Sequence, residues 1–100
     1  MFCYLFEFRV RAGAEARFEA AYGADGPWVA LFRRSPEYLG TELGRDTADA
    51  RRYLTIDRWT SRAACLDFRE RVRAEFDAID RECELLTESE RHLGDFDLRR

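Results

Sequence analysis

The sequence contains no lysine, no asparagine and no glutamine, and it has a single histidine. These absences exclude Schiff-base and P-loop chemistry, which need a lysine, and an oxyanion site built from a side-chain amide. The three cysteines show no CxxC spacing, so we expect neither a disulfide framework nor a metal site. Three unpaired cysteines are typical of reduced thiols, which predicts a cytoplasmic protein.

Charge and hydropathy exclude further classes of function. The net charge is −3, which disfavours binding to nucleic acid or to anionic lipid. No apolar run approaches the length of a membrane span, and the apolar start 1–6 leads directly into Glu7 and Arg9, which predicts a strand and not a signal peptide. With 100 residues that are 46% hydrophobic, the chain is predicted to form a single domain over 1–100 with its own core.

Two segments, 2–11 and 51–59, alternate with the period of a β-strand and are apolar or aromatic on both faces. A strand that is apolar on both sides must be covered on both sides. The predicted helices suffice for one side, so we expect a second copy of the chain to cover the other. The helix-covered side is predicted to carry Phe6, Phe8, Thr55, Asp57 and Trp59, and the opposite side Leu5, Leu54 and Ile56.

Periodicity and turn residues divide the rest of the chain. Strands are predicted over 2–11, 38–46, 51–59 and 86–96, and helices over 14–22, from Pro27 to Ser35, and from Thr60 or Ser61 to Cys83. The last helix is either one long helix or two that join near Arg73, and the last strand is predicted to contain a bulge. The order β-α-β-β-α-β predicts an α+β, ferredoxin-like fold whose four-stranded antiparallel sheet has helices on one face.

Several motifs span almost the whole chain, among them FRVRAG, EARFEAAYG, DGPWVALF, YLGTELGRD, RRYLTIDRW followed by TSRAACLDF, and LTESERHLGDF. Together they resemble the antibiotic biosynthesis monooxygenase (ABM) family of the dimeric α+β barrel proteins. The resemblance implies two subunits packed sheet to sheet, each with a pocket between its own sheet and helices. It also implies oxygenation of polyaromatic or quinol substrates without a cofactor, because the phenolate or carbanion of the substrate reduces oxygen directly.

The resemblance carries over to individual residues only in part. Trp59 matches the tryptophan that ends the third strand in this family. Quinone-forming members carry an asparagine four residues before it and a tyrosine six residues after it, where this chain has Thr55 and Cys65. Haem-degrading members have a first-strand asparagine where this chain has Phe6, and a histidine near the place of Phe68. Haem degradation is therefore not expected.

Three side chains are candidates for catalysis, and each has a structural alternative. Trp59 would stack on a planar substrate, or it seals the corner between strand and helix. Asp57 would be a base whose pKa an apolar pocket raises, or it pairs with an arginine or lies at an open rim. His92 would accept a proton, or it is a surface or interface residue. The predicted substrate-binding residues are Phe6, Phe8, Tyr53, Thr55, Phe68 and Val72.

Three functions stay open at this point. The first is a cofactor-free monooxygenase that acts on an aromatic polyketide-like or quinol substrate. The second is a non-catalytic ligand-binding or accessory homodimer of the same fold, which the missing asparagine and tyrosine favour. The third is a cyclase or isomerase of a polyketide-like intermediate. Each predicts two partners, a second copy bound through the sheet face and a small aromatic molecule.

Overall fold

The computed structural model describes residues 1–99, and its elements follow the predicted order. They are β1 (Phe2–Val10), α1 (Glu15–Tyr22), α2 (Pro27–Phe32), β2 (Tyr38–Arg45), β3 (Arg52–Trp59), α3 (Arg62–Arg71), α4 (Arg73–Cys83), a 3₁₀ turn (Glu84–Leu86) and β4 (Thr87–Asp97). The ferredoxin-like α+β fold is thereby confirmed. The clearest difference from prediction is in α2, which ends at Phe32 and not at Ser35.

The four strands form one antiparallel sheet in the order β2-β3-β1-β4. The two central strands are β1 and β3, and their register sets Tyr4 opposite Asp57 and Leu5 opposite Ile56. Since side chains alternate between faces along a strand, this register also fixes which residues share a face. The prediction for the two faces is confirmed: Phe6, Phe8, Thr55, Asp57 and Trp59 lie on the helix side, and Leu5, Leu54 and Ile56 on the outer side.

The last strand contains the predicted bulge, and the pairing of β2 with β3 also shifts, between Tyr38 and Gly40. The pairing of β1 with β4 shifts between Leu5 and Phe6, which leaves Leu93 as the extra residue of a bulge. Gly94, next to it, has a φ of +155°, and the Phe96 ring folds back over it so closely that a Cβ at Gly94 would lie 2.9 Å from the ring. The bulge therefore depends on glycine at this position.

The predicted choice between one long helix and two is settled by a break at Val72. This residue ends α3 and precedes α4 with φ −108° and ψ 22°, which is outside the helical region. Phe68 before the break, Val72 at it and Cys83 after it are all buried. None of the helices in residues 1–99 is both long enough and apolar enough to cross a membrane.

The start of α3 gives a first prediction. The Oγ of Ser61 accepts a hydrogen bond from the backbone N–H of Ala64 at 3.1 Å, which is an N-cap. We expect Ser61→Ala to lower the free energy of unfolding by about 1 kcal/mol and Ser61→Asp to preserve it, because aspartate also caps helices. Urea denaturation measures this, with Ser89→Ala on the exposed part of β4 as the control. Equal stability of the Ser61→Ala and Ser89→Ala variants would contradict the assignment of the cap.

Candidate functional site

A cavity of about 200 Å³ lies between the helix-covered face of the sheet and the helices. Aromatic rings make up most of its wall, contributed by Tyr4, Phe6, Phe8, Tyr22, Trp28, Phe32 and Phe76. The polar lining consists of Thr41, Thr55, Asp57, Arg69, Asp80 and Glu90. The core therefore does not fill the space under the helices, and the opening that remains suits a small aromatic molecule.

Four of the predicted site residues line this cavity: Phe6, Phe8, Thr55 and Asp57. The two phenylalanines come from β1, and Thr55 and Asp57 from the neighbouring β3. Their shared face is the direct result of the strand period, which is why the sequence pattern could bring them together. The other five predicted residues do not line the cavity.

Trp59 lies behind the cavity wall. Its residue exposure is 0%, and its ring packs 5.6 Å from Phe32, 5.3 Å from Tyr38 and 5.6 Å from Phe68, measured between ring centroids. Because α2 and α3 both fold over this end of β3, no face of the indole is left for a ligand. The geometry matches the structural alternative, in which Trp59 seals the strand-to-helix corner and supports the wall through Phe32.

Tyr53, Phe68 and Val72 belong to the core. Tyr53 is buried, and its hydroxyl donates to Oε2 of Glu19 at 2.6 Å, so its phenol faces α1 and not the cavity. Phe68 packs on Trp59, and Val72 is buried at the break between α3 and α4. The helix stripe correctly identified Phe68 and Val72 as inward-facing, but it did not show that the space beside them is already occupied.

His92 lies on the edge strand β4, outside the cavity lining. Its side chain is 47% exposed, and Nε2 is 2.8 Å from Oδ1 of Asp95. Its register partner is Phe6, so the two side chains lie on the same face of the sheet, with ring centroids 5.1 Å apart. The histidine therefore lies beside a lining residue but does not itself line the cavity.

Asp57 is the titratable group at the floor of the cavity. It is buried, and burial raises the pKa of its carboxyl to about 6, although a hydrogen bond from Thr41 and the charge of Arg69 partly oppose the rise. Oγ1 of Thr41 donates to Oδ1 at 2.5 Å, and the Tyr38 hydroxyl donates to Thr41 in turn. Asp57 is thus held in place at one oxygen and can accept a proton near neutral pH.

Nine lining residues were not among the predicted site residues, and three of them show why. Tyr4 has the same parity as Phe6 and Phe8, so the strand period could have found it. Thr41 depends on the β2–β3 register, which the length of the turn does not fix. Arg69 follows the buried Phe68 on α3, and no pattern in the sequence distinguishes it from the solvated arginines around it.

The cavity does not contain a cluster of metal ligands. Within residues 1–99, no three His, Cys, Asp or Glu side chains come together in an arrangement that could hold a metal ion.

Burial and the nearby Asp57 charge raise the pKa of Tyr4 well above its ordinary value, so its phenol stays a neutral hydrogen-bond donor. The groups available for chemistry are therefore the carboxyls of Asp57, Asp80 and Glu90, the Arg69 guanidinium, hydroxyl groups and a set of aromatic rings.

Comparison with known proteins places this fold and cavity in context. The family model for antibiotic biosynthesis monooxygenase matches residues 1–78. No curated protein matches the sequence significantly. The solved structure of SnoaB, a cofactor-independent oxygenase from Streptomyces nogalater, superposes with a TM-score of 0.80 at 24% identity, over 99% of this chain and 93% of that one.

Two further solved structures show the same fold. A protein of Bordetella bronchiseptica that carries the same family name has a TM-score of 0.74 at 19% identity, over 99% of this chain and 97% of that one. A NIPSNAP domain protein of Burkholderia xenovorans has a TM-score of 0.72 at 15% identity, over 99% and 95%. At these identities the likeness establishes the fold, which is known to host more than one function.

The buried carboxylate gives a prediction for stability. In the folded state the pKa of Asp57 is about 6, which is above its ordinary value of 3.8. The protonated carboxyl therefore makes its full contribution to stability below pH 3.8, and this contribution is lost as the pH rises through about 6. The loss is on the order of 3 kcal/mol, and the neutral Asp57→Asn variant avoids it. We therefore expect this variant to be more stable than the wild type at pH about 8 and equally stable at pH about 4.

Urea denaturation at the two pH values measures the difference. Asp77→Asn, which makes the same change at an exposed position of α4, is the matched control and should not differ from the wild type. An Asp57→Asn variant that is less stable than the wild type at the higher pH would show that the carboxylate stabilises the fold as a charge.

Proposed function

We propose a function that proceeds from one established fact: this chain belongs to the antibiotic biosynthesis monooxygenase family, whose model matches most of its length, residues 1–78. The proposed activity is the cofactor-independent oxygenation of a compact hydroxylated aromatic molecule of the polyketide-like or quinol class. The observation that carries the proposal is the open aromatic cavity with Asp57 at its floor, because a carboxyl with a pKa of about 6 is suited to act as a base near neutral pH.

The proposed reaction begins with a proton transfer to Asp57. The free oxygen of the carboxylate, the one that Thr41 does not bind, takes the proton of a ring hydroxyl of the substrate. The resulting phenolate gives one electron to O₂, and the two radicals combine at a ring carbon that carries a hydrogen to form a peroxide, which Asp57 protonates. Loss of water then breaks the O–O bond and the C–H bond at that carbon and leaves a carbonyl. One oxygen atom ends in the product and the other in water, so no external reductant is needed.

The aromatic wall supports this chemistry in two ways. Rings such as Phe6, Phe8 and Trp28 offer flat apolar surfaces to a planar substrate. They also keep water away from the peroxide intermediate. This exclusion of water strengthens electrostatic interactions in the cavity. The volume of about 200 Å³ lies below the range of ~300–1,000 Å³ typical of drug-sized ligands, which favours a compact substrate.

A second candidate function is ligand binding without turnover. The place of the tyrosine in quinone-forming relatives is taken by Cys65, which is buried in the core. Burial raises the pKa of its thiol to about 11, so at neutral pH Cys65 is protonated and cannot act as a base. In this second function the cavity binds an aromatic molecule, and the protein does not oxidise it.

The proposed assembly is a homodimer formed through the outer face of the sheet. No helix covers this face in residues 1–99, and Leu5, Leu54 and Ile56 are only partly buried there while Phe96 is 47% exposed. Ion pairs surround these apolar residues, for example Arg52 with Glu7 at 2.5 Å and Arg58 with Glu42 at 2.9 Å. An apolar centre with a charged rim is the usual anatomy of a protein–protein interface.

Oxygen consumption tests the proposed reaction. Incubated with a dihydroxynaphthalene or an anthrone and no added cofactor, the protein is expected to take up O₂ faster than a no-protein control. Asp57→Asn should lower the rate by about 10²–10⁴-fold, the usual contribution of a general base, and Asp77→Asn should not. The rate of the wild type should rise with pH through about 6, as the carboxyl of Asp57 loses its proton.

The same experiment distinguishes the alternatives. Thermal stabilisation by these compounds without oxygen uptake would select the ligand-binding function and reject the oxygenase. Full activity in Asp57→Asn would remove Asp57 from the proposed role while leaving the family reaction intact.

Light scattering tests the proposed dimer. At micromolar concentration the wild type should show twice the mass of one chain, and Ile56→Asp should yield a monomer or an unfolded chain, because it buries a charge between the two sheets. Leu66→Asp is the matched control, since Leu66 is 43% exposed on α3, away from the sheet face. A wild type of single-chain mass would rule out the proposed assembly.

A further inference from the structure

One cation, Arg69, lies in the lining of the cavity. Its guanidinium carbon is 4.7 Å from the ring centroid of Phe76 and 6.0 Å from that of Tyr4, so two aromatic rings hold it in place. Its neighbour on the helix, Arg71, pairs with Asp67 at 3.3 Å and is 67% exposed. Arg69 forms no ion pair with any acid that the structure describes, so its charge is available to a ligand.

The field of Arg69 reaches the proposed base. Its positive charge is among the causes that lower the pKa values of Asp57 and Tyr4, although burial raises both overall. A negative charge that forms on a ligand beside Asp57 would therefore be stabilised by the same guanidinium. In an aromatic cavity such an interaction is stronger than in water, because little solvent screens it.

The opposite end of the cavity has the opposite charge. Tyr4 and Phe8 are four residues apart on β1, which separates them by about 13 Å along the strand. Tyr4 lies opposite Asp57, while Phe8 lies opposite Glu90, which lines the cavity together with Asp80. Neither of these two acids pairs with an arginine of residues 1–99, and burial and the charge of Asp80 raise the pKa of Glu90.

We propose that Arg69 is the anion-recognition residue of the cavity, where it binds the ionised oxygen of a hydroxyarene. The hydroxyl proton moves to the carboxylate of Asp57, so the negative charge passes from Asp57 to the ligand oxygen within the field of Arg69. Asp80 and Glu90 repel a second negative charge, so the ligand class is a hydroxyarene without an acidic group at its far end. The identity of the ligand rests on the proposed function, but binding of the anion does not require turnover.

The absorbance of a bound naphthol tests this inference, because the phenol and phenolate forms absorb at different wavelengths. The titration uses Asp57→Asn, in which Arg69 is the only charge of the lining at that end. Tyr4 and Cys65, which also face Arg69, stay neutral because burial raises both of their pKa values. We expect the pKa of bound naphthol to rise by about one to three units when Arg69→Met is added. Arg71→Met, the matched control on the same helix, should leave it unchanged.

Equal naphthol pKa values with and without Arg69→Met would overturn the proposal. If that variant does not fold, the wild type provides a second test, with naphthol and its methyl ether compared across pH. Affinity for naphthol should increase relative to the ether as the naphthol ionises, and a constant ratio would reject the anion site.

A carboxylated naphthol tests the acidic end. It should bind the wild type at least about tenfold more weakly than naphthol, and the double variant Asp80→Asn, Glu90→Gln should remove most of that difference. Equal binding of the two naphthols to the wild type would reject the role of Asp80 and Glu90.

Naphthol binding with the predicted pKa change but no oxygen uptake would reject the oxygenase and leave the anion site standing.

Discussion

The burial of the Asp57 carboxyl under a layer of aromatic side chains is the interaction on which this site depends. A carboxylate loses much of its hydration there, so its pKa moves up to about 6. The hydrogen bond from Thr41 limits this effect and orients the group, but it does not cancel the cost of burial. Burial of the carboxylate lowers the stability of the fold at neutral pH and also makes the group a competent base. Such a loss of stability in favour of function is common in proteins.

The fold provides this environment through the geometry of its sheet and helices. Strand alternation brings Asp57 and the aromatic residues of β1 to one face, and α2, α3 and α4 cover that face without filling it. Trp59 closes one end of the layer by packing against Phe32 and Phe68. In the described part of the chain no helix covers the outer face of the same sheet. This face is available to the proposed dimer, while the helix-covered face holds the proposed site.

The sequence predicts most of the fold because the two periodicities are clear and turn residues separate them. The bulge near Leu93 was foreseen from irregular alternation, whereas the sequence left open whether α3 and α4 are one helix or two, which the break at Val72 decides. The site was predicted less completely, since parity identifies the face of a strand but not where the helices cross it. Asp57 and Trp59 share a face, yet only Asp57 lies below the cavity. Arg69 was missed because its role depends on the packing of two rings from other elements.

The most direct test of this account is the pKa of Asp57 itself. Carbon-13 labelling of the aspartate carboxyls allows each to be titrated by NMR, and Asp57→Asn identifies the signal. The account predicts a midpoint of about 6 for this one carboxyl. A midpoint near the ordinary value of 3.8 would show that water reaches the group, and the carboxylate could then be neither a tuned base nor the source of the pH-dependent stability.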